Sequence, residues 1–232
     1  MPVVLVLLAA AALALPAPAT AEGVVLPYDT VFPPAGPQAT VLSRDGPGKP
    51  LAEAVAAWKQ RTGRKSCPPR LVVVKAARRL DAFCGDDLVK SYVVNLGLEP
   101  VKDKIKQGDR ATPEGELYVC SFNEKSQFYR FLGLSYPDAA DAKRGLAAGL
   151  VTKEQAAQIE KAASRRVCPP WETDLGGAVG IHGGGSYEVA DGKVTVWDWT
   201  FGCVALRDED VKELFYGFAR VGTPVRIVAS DG

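Results

Sequence analysis

Two short stretches of this sequence carry side chains suited to nucleophilic chemistry. The first, GIHGGG at 180–185, contains His182, the single histidine of the chain. An unperturbed imidazole exchanges its proton near neutral pH, which makes His182 the natural candidate for a general base. It follows a short apolar run and precedes three glycines, where a ligand could approach a main chain without Cβ atoms. The second stretch, DWTFGCVAL at 198–206, contains Cys203.

Cys203 follows Gly202 and precedes a predicted helix that Asp208 is expected to cap. Backbone N–H groups of a Gly-Cys turn near a helix start can point at an anion, lower the thiol pKa and stabilise a tetrahedral oxyanion. A nearby imidazole favours the reactive thiolate. We therefore interpret Cys203 as a nucleophile and His182 as its base. The alternatives are a buried structural cysteine or a disulfide partner.

The cysteine count supports a free thiol. Five cysteines occur in the chain, and in an oxidising compartment four of them can form two disulfides, which leaves one thiol unpaired. Local sequence does not fix the pairing. We favour Cys67–Cys84 and Cys120–Cys168, because these would join neighbouring segments and leave Cys203 free. A structural zinc site is a poor interpretation, since no C-x-x-C pair occurs and one histidine is available. No metal site is predicted.

The N-terminal residues predict export. Residues 1–15 are uncharged and apolar, and Ala19-Thr20-Ala21 resembles a small-residue cleavage site, so residues 1–21 are predicted to be a signal peptide. A retained membrane anchor is the alternative. No later segment is apolar for long enough to cross a bilayer, so we expect no stable membrane span in the mature chain and a location outside the cytoplasm.

The charges narrow the range of partners. Lys and Arg number 28 and Asp and Glu number 27, which gives a formal net charge of +1. Nucleic-acid-binding proteins usually carry a basic excess on one face, so this charge balance argues against nucleic acid as a partner. No cofactor is predicted, because a thiolate itself supplies the nucleophile.

Hydrophobic periodicity and turn residues predict a mainly β domain with a few helices. Short strands with tight connections favour antiparallel pairing. We predict a proline- and glycine-rich leader with a short helix at 22–66, and a catalytic domain at 67–232 with a helical insertion at about 123–170. The predicted strands are 71–75, 79–84, 90–96, 116–122, 178–181, 193–197 and 225–228, and the predicted helices are 51–61, 139–149, 153–166 and 208–218.

The two stretches resemble the signature of the L,D-transpeptidase family. That signature is an Ile-His-Gly strand end followed by a Ser/Thr-x-Gly-Cys turn, here Ile181-His182-Gly183 and Thr200-Phe201-Gly202-Cys203. Upstream segments match the early strands and the Thr-Pro-x-Gly turn of the family in the same order. They are 72–75, 79–80, 93–97 and 112–115. The resemblance covers about residues 70–229.

The resemblance implies a β-sandwich-like catalytic domain that acts on peptidoglycan stem peptides in the periplasm or cell wall. Cys203 would attack the carbonyl of an L-to-D peptide bond, and an acyl-enzyme would form and be resolved by a second stem-peptide amine. A backbone carbonyl near Gly183 would orient His182, with Asp198 as an alternative. The other predicted site residues are Gly202 and the Cys203 amide as oxyanion donors, Thr200 in a positioning role, and Trp199, Tyr187, Asp198 and Gly184 along the substrate groove.

The sequence departs from the family pattern beside the nucleophile. Phe201 stands where many members have His or Lys, and Ala205-Leu206 replaces the commoner Arg-Met. Substrate and reaction outcome therefore stay open. A hydrolase of the same fold could cut a stem peptide or a bond between peptidoglycan and an envelope protein, and a non-catalytic wall scaffold is the third hypothesis. A papain-like peptidase is disfavoured, because there the cysteine precedes the histidine in the chain.

Overall fold

The computed structural model describes residues 40–43 and 49–231. The predicted signal peptide and most of the predicted leader lie outside these residues. The helices are α1 (Leu51–Thr62), α2 (Ala139–Ala147), α3 (Lys153–Arg165) and α4 (Asp208–Gly217). The strands are β1 (Thr40–Ser43), β2 (Pro69–Val74), β3 (Arg79–Cys84), β4 (Asp87–Val93), β5 (Gly115–Ser126), β6 (Tyr129–Leu134), β7 (Gly180–His182), β8 (Tyr187–Ala190), β9 (Lys193–Val196), β10 (Val204–Ala205) and β11 (Pro224–Val228).

The strands of the described region form two sheets. Eight strands form the larger sheet in the order β10-β7-β6-β5-β11-β2-β3-β4, and the smaller sheet has the order β1-β9-β8. Most pairs are antiparallel, as predicted, but β10 with β7 and β11 with β2 are parallel. The prediction of a mainly β fold with a few helices is confirmed.

Apolar side chains from the larger sheet fill the core. Leu71 and Val73 on β2 are fully buried, as expected where alternate residues of a strand face the core. Val225 and Ile227 on the neighbouring β11 are buried too. Burial of one such side chain contributes about 1.5–3 kcal/mol to folding. The core therefore anchors the sheet whose other end, at β7 and β10, carries the two candidate catalytic residues.

The predicted start of the helical insertion is wrong. β5 continues to Ser126, and β6 pairs with it and with β7, so residues 123–134 belong to the larger sheet. From the sequence, the polar run Asn123-Glu124-Lys125-Ser126 was placed beyond the strand. In the structure it forms the last four residues of β5, next to the turn of a long hairpin. The helical part begins at α2. This correction matters because β6 is the direct neighbour of His182.

Helices α2 and α3 form a small unit with its own apolar cluster. Thr152 accepts a hydrogen bond from the Gln155 amide while the Gln155 side chain accepts one from the Thr152 amide, so these two residues form a capping box at the start of α3. Asp138 and Asp141 make the equivalent pair at α2. The cluster that joins the two helices is formed by Ala142, Val151, Ala156, Ile159 and Leu175.

Two disulfides cross-link segments of the domain. Cys67 pairs with Cys84 and Cys120 pairs with Cys168, which is the pairing favoured from the sequence, and Cys203 is a free thiol. The bonds span 17 and 48 residues of chain, and loops of such lengths correspond to roughly 3–4 kcal/mol of stabilisation each in the chain-entropy model. Within 49–231, no helix is long and apolar enough to span a membrane.

Candidate active site

His182 ends β7, and Cys203 directly precedes the adjacent strand β10 at the edge of the larger sheet. Ala205 of β10 pairs with His182. On its other side, β7 pairs with β6, where Phe131 lies opposite His182. The fold thus brings the two residues onto neighbouring backbones although 20 residues separate them in sequence.

Three aromatic rings surround the buried imidazole of His182. Phe128 stacks on it with a centroid distance of 4.6 Å, Trp199 meets it edge-on at 5.8 Å, and Phe131 lies parallel to it at 6.2 Å. The sequence predicted a groove position for Trp199, but this residue is buried against His182. Phe128 was not predicted, because it lies in the hairpin that the sequence assigned to the insertion.

The Gly183 carbonyl orients the imidazole. His182 Nδ1 lies 2.6 Å from the Gly183 carbonyl oxygen. Since a carbonyl oxygen accepts hydrogen bonds only, Nδ1 carries the proton of the neutral ring and Nε2 has the free lone pair. The predicted alternative, Asp198, has other partners: its carboxylate binds Arg78 at 2.7 Å and accepts from the Leu96 amide at 2.7 Å. Asp198 is therefore a structural anchor rather than a groove residue.

Burial keeps the His182 imidazole neutral. Desolvation lowers the pKa of His182 to about 4, and the hydrogen bond to Gly183 opposes this shift only in part. The charged form loses more than the neutral form when water is removed. At neutral pH the ring can therefore accept a proton at Nε2.

The glycines after His182 serve packing within the protein. A Cβ on Gly183 would lie 2.4 Å from Asp208 Oδ1, and one on Gly185 would lie 2.6 Å from the Leu206 carbonyl carbon. The Gly184 amide donates to Asp208 Oδ1 at 2.8 Å. Protein atoms therefore fill the space beside Gly183 and Gly185, and the expectation that these two glycines admit a ligand is wrong. The groove position of Gly184 stays a prediction.

Asp208 has a different role from the predicted helix cap. α4 begins at Asp208 itself, after Arg207, and no side chain caps its first turn. The Asp208 carboxylate instead joins the start of α4 to the glycine loop through Gly184. The signal for this contact is absent from local sequence, because Asp at the first turn of a helix is favourable for the macrodipole in either arrangement.

Cys203 is half-buried, and its sulfur faces backbone atoms of the segment that leads into β7. The thiol points to the Ala178 carbonyl oxygen at 3.7 Å. Burial raises the pKa of Cys203 to about 11, while the Gly180 amide and the Lys104 charge act in the opposite direction. The expectation of a lowered thiol pKa is therefore wrong for this state. At neutral pH both the Cys203 thiol and the His182 imidazole are therefore uncharged.

Thr200 holds the turn that carries the nucleophile. Its hydroxyl donates to the Cys203 carbonyl at 2.7 Å and accepts from the Gly202 amide at 3.2 Å. The prediction of a positioning role for Thr200 agrees with these bonds. The Gly202 amide is occupied by this contact, so it is a poor oxyanion donor. Gly202 has a φ of 129°, a conformation that favours glycine.

Asn95 is a positioning residue whose side-chain role was not predicted. Its side-chain amide donates to the carbonyls of Ser186 and Trp197, and its side-chain oxygen accepts from the Ser186 amide. Its backbone also exchanges two hydrogen bonds with Ala205. Asn95 thus ties both ends of the β8–β9 hairpin to the strand that follows Cys203. The motif at 93–97 was recognised, but a single Asn does not reveal its partners.

Tyr187 is also differently placed from the prediction. The Arg207 guanidinium lies 3.7 Å from the centre of its ring, and Arg207 donates to the Tyr187 carbonyl. The ring packs with a small cluster of Val93, Val194 and Val196. Across the described ranges, no group of three or more His, Cys, Asp or Glu residues is arranged to hold a metal ion.

The family model of YkuD, the L,D-transpeptidase catalytic domain, matches residues 68–227. This match spans more than half of the chain. The chain belongs to the L,D-transpeptidase family. The matched range contains β7, β10 and both candidate catalytic residues. No curated protein sequence matches this chain.

Several solved structures are similar to this L,D-transpeptidase domain. Bd1075 of Bdellovibrio bacteriovorus is 17% identical with a TM-score of 0.43, over 71% of this chain and 49% of that one. The L,D-transpeptidase of Xylanimonas cellulosilytica is 14% identical with a TM-score of 0.40, over 75% and 69%. The helical cell shape determining protein Pgp2 of Campylobacter jejuni is 15% identical with a TM-score of 0.46, over 72% and 50%. This chain spans about half the length of the Bdellovibrio and Campylobacter proteins.

Proposed function

We propose that this protein is a peptidoglycan L,D-transpeptidase in which Cys203 is the nucleophile and His182 the general base. The observation that carries the proposal is the arrangement of the one free thiol beside the strand of the one histidine. The remaining cysteines are paired in disulfides. The family match supplies the reaction class.

The first half-reaction transfers a proton and forms a thioester. His182 accepts the thiol proton at Nε2 as the sulfur attacks the carbonyl carbon of the L-to-D peptide bond. The Gly183 carbonyl stabilises the resulting imidazolium by accepting from Nδ1. The Cys203 amide is the proposed oxyanion donor, since Gly202 is bound to Thr200. Collapse of the tetrahedral species breaks the C–N bond, and the imidazolium returns its proton to the leaving amine.

The second half-reaction resolves the thioester. An amine of a second stem peptide attacks the carbonyl, loses a proton to His182 and forms the cross-link as the C–S bond breaks, and the imidazolium then returns that proton to the sulfur of Cys203. Water in place of the amine would give a hydrolase, which could trim stem peptides or release an envelope protein. The neutral resting pair fits a mechanism in which the thiol is deprotonated during attack, because both pKa shifts oppose a permanent ion pair.

We also propose that the protein is exported, with residues 1–21 as a signal peptide and residues 67–232 as the catalytic domain. Two disulfides support an oxidising compartment. N-terminal sequencing of protein from the periplasm or cell wall should give Glu22 as the first residue. Full-length protein found in the cytoplasm would contradict this part of the proposal.

The test of function is the product formed from muropeptides with a tetrapeptide stem, analysed by mass spectrometry for the wild type and for Cys203→Ala. Cross-linked dimers made by the wild type alone support transpeptidation. Shortened stems without dimers, again dependent on Cys203, would identify the hydrolase. No change that depends on Cys203 would contradict both enzymatic hypotheses and favour the scaffold.

A further inference from the structure

An aromatic ring and a cation lie on the surface beside the nucleophile turn. Phe201, two residues before Cys203, has 66% of its surface exposed. The guanidinium carbon of Arg110 lies 5.7 Å from the centre of the Phe201 ring, within the range of a cation–π interaction. Phe201 therefore lies in solvent, in contrast to Phe128 and Phe131, which pack against His182.

The backbone beneath Arg110 is held in an unfavourable conformation. Arg110 has a φ of 59°, which lies in the left-handed region that residues with a Cβ rarely adopt. Its carbonyl accepts from the Glu99 amide at 3.0 Å, and a Cβ on Gly97 would lie 2.2 Å from the same oxygen. Backbone strain of this kind is maintained by the surrounding structure and clusters at ligand sites.

The residues on both sides of Arg110 fix it to the nucleophile turn. Asp109 accepts from the Ala111 amide and binds the buried Lys104 ammonium at 2.7 Å. The Ala111 carbonyl lies close to Gly202, where an added Cβ would be 2.7 Å away. The loop therefore presents Arg110 at a fixed position relative to Cys203.

The Arg110 guanidinium has no carboxylate partner within the described residues. By contrast, Lys104 is paired with Asp109 and Arg78 with Asp198, so these two cations are neutralised. Arg110 is exposed and retains its donors for a ligand. A planar guanidinium binds a carboxylate through two parallel hydrogen bonds.

We propose that Arg110 and Phe201 form a subsite that binds a carboxylate of the donor stem peptide. Phe201 holds the guanidinium by its ring face, and the guanidinium binds the carboxylate so that the scissile carbonyl lies at Cys203. This specificity role rests on the proposed function, which supplies a peptide substrate with free carboxylates.

The experiment measures initial rates of the full-length protein with a tetrapeptide donor and with versions in which each carboxylate in turn is amidated. For the wild type, amidation of one particular carboxylate should raise KM by between about 10- and 100-fold, as expected for a charge-assisted hydrogen bond. Arg110→Gln should raise KM for the unmodified donor by a similar factor, with a smaller effect on kcat, and should be insensitive to that amidation. Phe201→Leu should give a weaker version of the same pattern.

The matched control is Arg220→Gln, which removes an exposed arginine from the segment before β11. It should keep the wild-type KM for every donor. Wild-type and Arg110→Gln proteins that respond equally to every amidation would overturn the subsite while leaving the transpeptidase proposal intact. A wild type that converts none of the donors would overturn the proposed function, and the subsite with it.

Discussion

His182 ends β7 and Cys203 directly precedes the adjacent β10, but the two residues are held by different interactions. The histidine is fixed mainly by packing, since three aromatic rings surround the imidazole and one carbonyl sets its tautomer. The cysteine is fixed by backbone and hydroxyl hydrogen bonds around Thr200. A dry pocket keeps the imidazole neutral and therefore able to accept a proton, while a nucleophile must stay accessible to substrate. The difference therefore matches the two chemical roles.

The largest expected effect comes from removing the base. His182→Gln should lower kcat/KM by about 10³-fold, within the range for loss of a general base, while the Cys203 thiol remains. Steady-state rates with a tetrapeptide donor measure the loss. A thiol titration that still finds one free thiol, together with an unchanged far-UV spectrum, is the control for folding. Activity within a few-fold of the wild type would contradict the assignment.

The raised pKa of the Cys203 thiol is tested by the pH dependence of its alkylation. Because burial raises the pKa of Cys203 to about 11, the thiolate fraction should rise about tenfold per pH unit between pH 7 and 10. The rate of reaction with iodoacetamide, followed by intact mass, should rise accordingly without levelling off. Cys203→Ala is the control for labelling elsewhere. A plateau near neutral pH would instead indicate a stable thiolate–imidazolium pair.

The hydrogen bonds of the nucleophile turn can be removed without changing Cys203 itself. Thr200→Val removes the hydroxyl that binds Cys203 and Gly202, and two such bonds correspond to roughly 1–3 kcal/mol, or about 5- to 150-fold in kcat/KM. Thr200→Ser is the matched control, because it keeps the hydroxyl and should retain most of the activity. Full activity in Thr200→Val, or a larger loss in Thr200→Ser than in Thr200→Val, would contradict the role of the hydroxyl.

The smallest effect on kcat/KM at neutral pH is expected from a substitution in the aromatic packing around His182. Phe128→Leu reduces the packing that lowers the pKa of His182 to about 4, so the pKa should rise towards its ordinary value. Activity depends on the neutral ring, and the acid limb of kcat/KM should therefore move to higher pH, while the rate at pH 8 changes little. Phe122→Leu is the control, since Phe122 packs against Phe215. An unmoved acid limb would contradict the role of the aromatic rings.

The chemistry-bearing residues were predictable because they are rare in this sequence. One histidine and an odd number of cysteines single out His182 and Cys203 as soon as export is assumed. The strand at 79–84 and the capping box at Thr152 were predictable from local pattern and propensity. Local signals of this kind depend on neighbours within a few residues, so they are visible in the chain itself.

The partners of the site residues were not predictable in the same way. The sequence does not reveal that Asp208 binds Gly184, that Phe128 covers His182 or that the Gly202 amide is bound to Thr200. Gly183 and Gly185 were interpreted as open to a ligand, although tertiary packing fills the space beside them. The predicted lowering of the Cys203 pKa was wrong for the same reason, since burial depends on distant segments and outweighs the opposing effects of Gly180 and Lys104.

The thioester mechanism is tested most directly by the intact mass of the protein after brief incubation with a tetrapeptide donor and no acceptor. A thioester at Cys203 should increase the mass by that of the donor minus that of the released amine. Peptide mapping should locate this increase at Cys203, and it should be absent from Cys203→Ala. Product formation without any adduct on Cys203, or an adduct on another residue, would contradict the thioester mechanism.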